Sequence, residues 1–224
     1  MKIDILTIFP EMFDGFLNTS IIKRARETKK VIINVHDFRE YSTDKHKRVD
    51  DYPYGGGAGM VLMCEPIFNA VEAIRTDESL VVMLSPSGEV FKQEKAVSLS
   101  REKHIILLCG HYEGFDERIK SIVDMELSIG DYILTGGEIP AMVVTDAITR
   151  LIPGVISNES LMSESFNDGL LDYPNYTRPV EFRGMRVPDV LLSGHHENIQ
   201  KYRKNEQVKL TNSNRSDLVG DKND

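Results

Sequence analysis

Short runs of apolar residues recur along the chain, and stretches with helical periodicity separate them. The runs at 3–9, 31–35, 80–84 and 105–109 are almost entirely apolar, and each has the length of one strand. Strands that are apolar on both faces are typical of a parallel sheet that is covered on both sides. The alternation of such strands with helices therefore predicts an α/β fold built on a parallel sheet.

The helices between these strands are predicted from periodicity and from the position of proline. Proline suits the first helical turn, because the N–H that it lacks has no intrahelical partner there. A longer helix with one apolar side is predicted after 194. The predicted helices begin near Pro10, Ser20, Pro66, Gln93, Phe115 and Ile139, and the last one covers about 195–208.

Two segments interrupt the alternation of strands and helices. Residues 43–60 are polar and then rich in glycine, and residues 153–179 carry proline, glycine, asparagine and acids with little periodicity. A segment of the second kind is usually a functional lid or a linker. We therefore predict a catalytic α/β domain over 1–156, a flexible linker over 157–179 and a small, mostly helical domain over 180–224.

The composition is that of an ordinary globular protein, with 41% hydrophobic and 28% charged residues. No apolar run approaches the roughly 18 residues that a membrane span requires. The amino terminus has an acid inside its apolar run, which indicates a strand and not a signal peptide. Cys64 and Cys109 lie among apolar residues, so we expect buried, reduced thiols in a cytoplasmic protein.

The net charge of −8 is unevenly distributed along the chain. Residues 1–48 carry 10 Lys+Arg against 7 Asp+Glu, residues 49–173 carry 8 against 21, and residues 174–224 carry 9 against 7. Basic clusters lie at 23–30, 45–48 and 201–204. Such clusters can contact nucleic-acid phosphates, although a solvated surface is the more common role of any single one.

Three of the predicted strands run into turns that are rich in glycine. These turns follow residue 84, residue 109 and the strand-like run that begins at Ser128. Glycine lets a ligand approach the backbone closely, and ligands of open α/β sheets bind at the carboxyl ends of the strands. The three turns together predict one pocket at that edge of the sheet.

The glycines match neither of the two common phosphate-binding signatures. The cluster at 55–59 is not followed by the Lys-Ser/Thr of a P-loop. The first strand is not followed by the GxGxxG of a dinucleotide-binding fold. Both observations argue against a small kinase or a dehydrogenase, which are the unrelated α/β enzymes that compete as interpretations.

Four polar residues admit either a structural or a chemical role. Arg150 complements the dipole of the preceding helix or holds an anion or a polarised carbonyl. Glu164 is a solvated acid or a reactive one. His111 and Glu113 line the pocket, or Glu113 caps the helix that follows. The residues by themselves indicate an α/β enzyme with a pocket suited to a nucleoside.

A series of motifs resembles the bacterial tRNA (guanine-N1)-methyltransferases. The motifs are IFPEMF at 8–13, VDDYPYGGG at 49–57, CGHYEG at 109–114, SIGDYILTGGE at 128–138, IPGV at 152–155, DGLLD at 168–172, YTRP at 176–179 and VPDVLLSG at 187–194. They occur in order, and the resemblance as a whole runs from residue 2 to about residue 210. So many spaced motifs together are highly specific. The resemblance implies a SPOUT-type α/β fold with a C-terminal trefoil knot, and a homodimer with its active site at the interface.

The resemblance also implies a reaction, in which the methyl group of S-adenosylmethionine moves to N1 of the guanosine immediately 3′ of the tRNA anticodon. Guanine N1 carries a proton, so a general base is needed, and an arginine can stabilise the charge that develops on O6. The family pattern gives the arginine as Arg150. Where the family has an aspartate as base, this chain has Glu164, with Asp168 as the reserve candidate. Because of this departure, the alternative interpretation is a weakly active or inactive tRNA-binding homologue.

The resemblance assigns cofactor and RNA contacts as well. It implies Mg²⁺ bound by Glu113. The implied S-adenosylmethionine contacts are Leu84, Ser85, Pro86, Gly110, Tyr112, Glu113, Gly114, Ser128, Ile129, Gly130, Asp131, Tyr132, Ile133, Leu134, Gly136, Gly137 and Pro140. The implied tRNA contacts are Asp50, Tyr54, Gly55, Gly59, Arg178, Ser193, Lys201 and Arg203.

Overall fold

The computed structural model describes residues 1–162 and 164–220. They divide into two compact units, of which the first is Met1–Ile156 and the second begins at Ser157. The residues predicted as a linker, 157–179, belong to the second unit together with the residues that follow them. No helix among the described residues is both long and apolar enough to cross a membrane.

The strands of the described chain vary in length from 2 to 12 residues. They are β1 (Lys2–Thr7), β2 (Ile32–Asp37), β3 (Asp50–Asp51), β4 (Val61–Leu62), β5 (Ser79–Val90), β6 (His104–Cys109), β7 (Met125–Ser128), β8 (Glu181–Phe182) and β9 (Met185–Arg186). Five of them form one sheet in the order β2-β1-β6-β5-β7, and every neighbouring pair in it is parallel. The predicted parallel α/β sheet is therefore confirmed.

Helices connect these strands. The α-helices are α1 (Asp14–Leu17), α2 (Ser20–Glu27), α3 (Cys64–Ile74), α4 (Gln93–Leu99), α5 (Glu138–Thr149), α6 (Asn158–Met162), α7 (Asp189–Leu192), α8 (His196–Asn214) and α9 (Asp217–Gly220). Short 3₁₀ turns cover Pro10–Phe13, Phe38–Tyr41 and Glu117–Ile122. α5 packs against α2, α4, β1 and β6, so it lies on one face of the sheet.

The sheet separates two hydrophobic cores, because alternate residues of a strand point to opposite faces. In β1, Ile3 and Ile5 enter the core that also holds Ala141 and Ile148 of α5. Leu6 enters the other core, beneath α3. All six residues of the central strand β6 are buried. The continuous apolar runs in the sequence thus follow from burial on both faces.

Some predicted boundaries were wrong, for identifiable reasons. β7 ends at Ser128, so the run that follows it is a loop; Gly130 has a φ of +141°, which breaks the strand. Helix α3 begins at Cys64, two residues before Pro66, because proline is tolerated anywhere in a first turn. The helix predicted over 195–208 runs on to Asn214.

Candidate functional site

A bulge inside β5 and the carboxyl ends of β6 and β7 border a cleft of about 420 Å³. Its volume is within the usual range for small-molecule and cofactor sites. The three glycine-rich turns of the sequence all line it, as predicted. The lining residues are Met83, Leu84, Ser85, Pro86, Ser87, Gly110, His111, Tyr112, Glu113, Gly114, Phe115, Asp116, Glu117, Lys120, Leu127, Ser128, Ile129, Gly130, Tyr132, Ile133, Leu134, Thr135, Gly136, Gly137 and Pro140.

The first wall of the cleft is a bulge inside β5. The register between β5 and β7 shifts across residues 85–88, so these residues leave the ladder and turn toward the cleft. A Cβ atom at Gly88 would lie 2.5 Å from the main-chain nitrogen of Leu127, so glycine is required where the strands close again. The hydroxyl groups of Ser85 and Ser87 lie 2.7 Å apart and hold the bulge together.

The second wall of the cleft is the segment 110–117 after β6, and the third wall is the loop 129–137 after β7. Their main chains are joined by hydrogen bonds. The N–H of Gly137 donates to the carbonyl oxygen of Gly110 at 2.7 Å, and His111 forms an isolated β-bridge with Gly136. A Cβ atom at Gly137 would lie 2.7 Å from the Cα of Cys109, so the two segments touch backbone to backbone. Glycine is needed here for this close approach.

His111 stands between the cleft and the first turn after β1. Its ring centroid lies 5.0 Å from that of Phe9, and it is one of the residues that line the cleft. Nδ1 of His111 is buried and has no hydrogen-bond partner among residues 1–162 and 164–220. The next residue, Tyr112, has a φ of +59°, a strained conformation for a non-glycine residue.

The third wall places Asp131 outside the cleft, although it was predicted with its neighbours. The N–H of Tyr132 donates to the carbonyl oxygen of Gly130 at 3.0 Å, which closes a tight turn around Asp131. Asp131 is exposed at the tip of this turn and does not line the cleft. The turn depends on the positive φ of Gly130.

A buried polar contact fixes the start of α5 behind the cleft. Glu138 is 1% exposed, and its carboxylate accepts a 2.7 Å hydrogen bond from the hydroxyl of Thr7 at the end of β1. The same hydroxyl accepts from the N–H of Phe9 at 2.9 Å. Burial, together with the charge of Glu138, raises the pKa of the Cys109 thiol well above its usual value, which makes a nucleophilic thiolate unfavourable there.

The loop predicted to hold the target guanosine is joined to the second wall. The N–H of Glu113 donates to the carbonyl oxygen of Met60 at 3.0 Å, and the Glu113 side chain lies against Gly59. Asp50 pairs with Leu62 in the short β3–β4 ladder. Tyr54 at the tip of this loop is fully exposed, and Gly55 beside it is exposed as well.

Arg150 does not line the cleft. α5 starts at the carboxyl edge of the sheet, next to Cys109, and ends near Lys30, which precedes β2 at the opposite edge. Its 12 residues span about 18 Å at 1.5 Å per residue. Arg150 is the C-terminal cap of α5 and therefore lies at the far end from the cleft.

The candidate bases Glu164 and Asp168 belong to the second unit. The N–H of Glu164 lies 3.5 Å from the carbonyl oxygen of Leu161. Asp168 accepts hydrogen bonds from Nζ of Lys204 at 2.8 Å and from Gln207 at 3.4 Å. The hydrogen bond from Lys204 lowers the pKa of Asp168, which weakens that carboxylate as a base.

Three of the four predicted RNA-binding residues of the second unit make contacts within it. Nζ of Lys201 pairs with Glu197 at 2.7 Å, and the guanidinium of Arg203 lies 4.7 Å from the ring centroid of Tyr173. The hydroxyl of Ser193 donates to a carbonyl oxygen one turn back, as in a helix end. Arg178 is exposed.

Several lining residues were not predicted. They are Met83, Ser87, Phe115, Asp116, Glu117, Lys120, Leu127 and Thr135. Most of them adjoin the predicted turns in sequence, so a wider window around each glycine cluster would have found them. The ring of Phe115 reaches the cleft because Gly110 has no side chain. A Cβ atom at Gly110 would lie 2.8 Å from this ring.

Comparison with known proteins agrees with these features. The family model described as tRNA (Guanine-1)-methyltransferase TrmD matches residues 1–221. A Halalkalibacterium halodurans protein named tRNA (guanine-N(1)-)-methyltransferase is 58% identical over 224 residues, which cover 98% of this chain and 91% of that protein. A Staphylococcus aureus protein (strain JH9) with the same name is 58% identical over 222 residues, with the same coverage of both chains.

Proposed function

Because this chain belongs to the tRNA (guanine-1)-methyltransferase family, we propose that it methylates N1 of guanosine in tRNA with S-adenosylmethionine as the methyl donor. We further propose that the target is the nucleotide immediately 3′ of the anticodon and that the enzyme acts in the cytoplasm, where its tRNA substrate is found. The observation that carries the proposal is the cleft formed by three glycine-rich loops at the carboxyl edge of the parallel sheet.

The cleft suits a nucleoside-like cofactor for a physical reason. Its walls are mostly main chain at Gly110, Gly136 and Gly137, so N–H and C=O groups can meet the edges of an adenine ring. Apolar side chains, among them Leu84 and Ile129, can cover the faces of the ring. S-adenosylmethionine would supply the methyl group and, after its transfer, leave as S-adenosylhomocysteine.

The chain itself must supply the proton chemistry. Guanine N1 bears a proton at neutral pH, and we assign its removal to the carboxylate of Glu164. As N1 loses this proton, negative charge develops on O6, and we assign its stabilisation to the guanidinium of Arg150. Glutamate is longer than the aspartate of the family pattern by about 1.5 Å, so the segment around Glu164 has to adjust by that distance.

The position of Arg150 supports a site shared between two subunits. It lies about 18 Å along α5 from the cleft of its own subunit. A homodimer in which Arg150 of one copy faces the cleft of the other would bring cofactor and arginine together. The exposed side chains of Ile139 and Val143 on α5 are consistent with a contact between copies along this helix.

The path of the chain around the cleft supports the proposed trefoil knot. β7 lies at the sheet edge beyond β5, yet Gly137 returns to the end of the central strand β6. The chain between them thus passes back across the end of β5 before it enters α5. Knots are rare in proteins, so a crystal structure in which the main chain can be traced through this crossing is the decisive test.

Mg²⁺ has less support, and no step is assigned to it. The described residues contain no group of three His, Cys, Asp or Glu side chains that could hold a metal ion. The carboxylate of Glu113 lies against Gly59. A single carboxylate in this position does not make a Mg²⁺ site, since this ion requires near-octahedral oxygen coordination.

The test is transfer of a labelled methyl group to a tRNA transcript. The substrate carries guanosine immediately 3′ of the anticodon, and the control transcript carries adenosine there. We expect incorporation only into the first transcript, and binding of S-adenosylhomocysteine by calorimetry. Cofactor and tRNA binding without transfer would instead identify an inactive tRNA-binding homologue. This is the second candidate function, because residue 164 is a glutamate where the family pattern has an aspartate.

A further inference from the structure

The three basic clusters in the sequence differ in how far acidic side chains compensate their charge. In the cluster at 45–48, Arg48 pairs with Asp44 at 3.0 Å and Lys47 pairs with Glu40. The hydrogen bond from Arg48 lowers the pKa of Asp44, which keeps that carboxylate ionised. Most of the positive charge in this cluster is therefore neutralised locally.

The cluster at 201–204 is compensated in the same way. Lys201 pairs with Glu197 at 2.7 Å, and Lys204 pairs with Asp168 at 2.8 Å. Arg203 lies over an aromatic ring, where cation–π attraction holds its guanidinium. A phosphate group would have to compete with each of these contacts.

Most of the positive charge in the cluster at 23–30 is uncompensated. Lys23 forms a long ion pair with Glu27 at 3.8 Å. Arg26 donates to the main-chain carbonyl of Leu17, a neutral group that does not compensate its charge. Arg24, Lys29 and Lys30 are exposed, and they form no ion pair with any residue in the described ranges 1–162 and 164–220. Cations stabilise the C-terminus of a helix by a few tenths of a kcal/mol, but that role does not require three of them.

One member of this cluster, Lys30, lies beside the turn that follows α5, the helix that ends at the arginine of the proposed mechanism. A Cβ atom added at Gly154 would be 3.0 Å from Nζ of Lys30, so the ammonium group sits over this glycine. Gly154 is four residues beyond Arg150, in the turn that follows α5. Uncompensated positive charge and Arg150 therefore share one edge of the sheet.

We propose that Arg24, Lys29 and Lys30 form a phosphate-binding surface for the RNA backbone next to Arg150. This inference rests on the proposed function and names the part of the catalytic unit that receives the tRNA. Contacts to phosphates carry no sequence information, but they fix the register of the nucleic acid on the protein. In a chain of net charge −8, phosphates are attracted to an uncompensated patch and repelled by the acidic remainder.

The test compares three variants of the full chain with the wild-type protein. In the triple variant Arg24→Ala/Lys29→Ala/Lys30→Ala, the slope of log Kobs for tRNA against log[KCl] should become shallower by about 2, since each phosphate contact contributes about 0.7–0.9. The KM for tRNA should rise at least about tenfold, while kcat and the affinity for S-adenosylhomocysteine stay unchanged. The matched control is Lys103→Ala, which removes an equal charge per residue from a lysine already paired with Glu78.

A charge-conserving variant, Arg24→Lys/Lys29→Arg/Lys30→Arg, should retain the wild-type salt slope. An unchanged slope in the triple alanine variant would overturn the inference, as would a change of about 0.7–0.9 in Lys103→Ala, the value expected for one phosphate contact. If the triple variant does not fold, the single variants Lys29→Ala and Lys30→Ala carry the same comparison, each with a change in slope of about 0.7–0.9. Failure of the proposed function is distinguishable, because then the wild-type protein itself transfers no methyl group to tRNA.

Discussion

The main-chain N–H of Gly137 donates a 2.7 Å hydrogen bond to the carbonyl oxygen of Gly110. This single bond ties the N-cap residue of α5 to the residue that follows the central strand β6. Two walls of the cleft therefore depend on one close approach between two glycines.

Gly137→Ala should damage the cleft. The new Cβ atom would meet the Cα of Cys109 and the nitrogen of Gly110 at 2.7 Å, and both belong to the backbone, which cannot rotate away. Overpacking of this kind costs about 1–3 kcal/mol of folding free energy. We expect weaker binding of S-adenosylhomocysteine in calorimetry and a lower midpoint in urea. Gly15→Ala is the control, because no atom lies within 4 Å of its added Cβ; equal behaviour of the two variants would contradict this prediction.

Thr7→Val should destabilise the first unit. It removes the hydroxyl that donates to the buried carboxylate of Glu138 and that accepts from the N–H of Phe9. A buried polar group without its partner costs about 1–3 kcal/mol. Urea denaturation measures the free energy of unfolding, and Thr7→Ser, which keeps the hydroxyl, serves as the control. A Thr7→Val protein as stable as Thr7→Ser would show that the contact contributes nothing.

Glu164→Gln should abolish most of the methyl-transfer activity. An amide cannot accept the guanine N1 proton, and loss of a general base typically costs about 10²–10⁴-fold in rate. Glu164→Asp should keep most of the single-turnover rate. Asp168→Asn should lose less, because Lys204 lowers the pKa of Asp168 and leaves it a weaker base. A wild-type rate for Glu164→Gln would remove Glu164 from the mechanism, and a larger loss in Asp168→Asn would make that residue the base.

Two variants with impaired sites should restore activity when mixed. If cofactor and arginine come from different subunits, a heterodimer of Gly137→Ala and Arg150→Met has one site with both changes and one with neither. Refolding the two together in equal amounts should return about a quarter of the wild-type rate, since half of the dimers would carry one intact site. Each variant alone serves as the control. A mixture no more active than its components would argue that each site lies within one subunit.

The folded protein should also lose stability in acid through Asp4. Its buried carboxylate lies within 2.9 Å of the ring nitrogens of His36 and His104, and it accepts from Asn34 and Lys2. Burial alone would raise the pKa of Asp4, but these hydrogen bonds outweigh it and hold the pKa well below the ordinary 3.8. At pH values below 3.8, the unfolded chain therefore binds a proton that the folded one does not.

The stabilisation by Asp4 is fully present above the unfolded-state pKa of 3.8 and is lost as the pH falls toward the folded-state value. In that window the wild-type free energy of unfolding should fall with a slope up to about 1.4 kcal/mol per pH unit steeper than that of Asp4→Asn. Urea denaturation from pH 5 to pH 2 measures both slopes. Asn34→Ala, which removes one donor, should lie between them, and parallel curves for all three proteins would refute the assignment.

The sequence alone determined the parallel sheet and the three loops at its carboxyl edge. Strands buried on both faces must be apolar throughout, and a backbone that touches another backbone requires glycine, so both features leave a local pattern. The turns that follow residues 84 and 109 were found in this way, whereas the individual contact residues in them came from the family resemblance. The likeness of the ordered motifs to one family likewise needed no coordinates.

Only the tertiary structure decided which polar residues face one another. Thr7 and Glu138 are 131 positions apart, and Asp168 and Lys204 are 36 positions apart, so no local sequence pattern predicts either contact. The same holds for the three basic clusters, which look alike as sequence and differ only in the acids that the fold brings beside them. Charge compensation depends on distance in space, whereas hydrophobic periodicity depends on distance along the chain. For this reason the sequence predicted the fold but did not show which basic cluster is uncompensated.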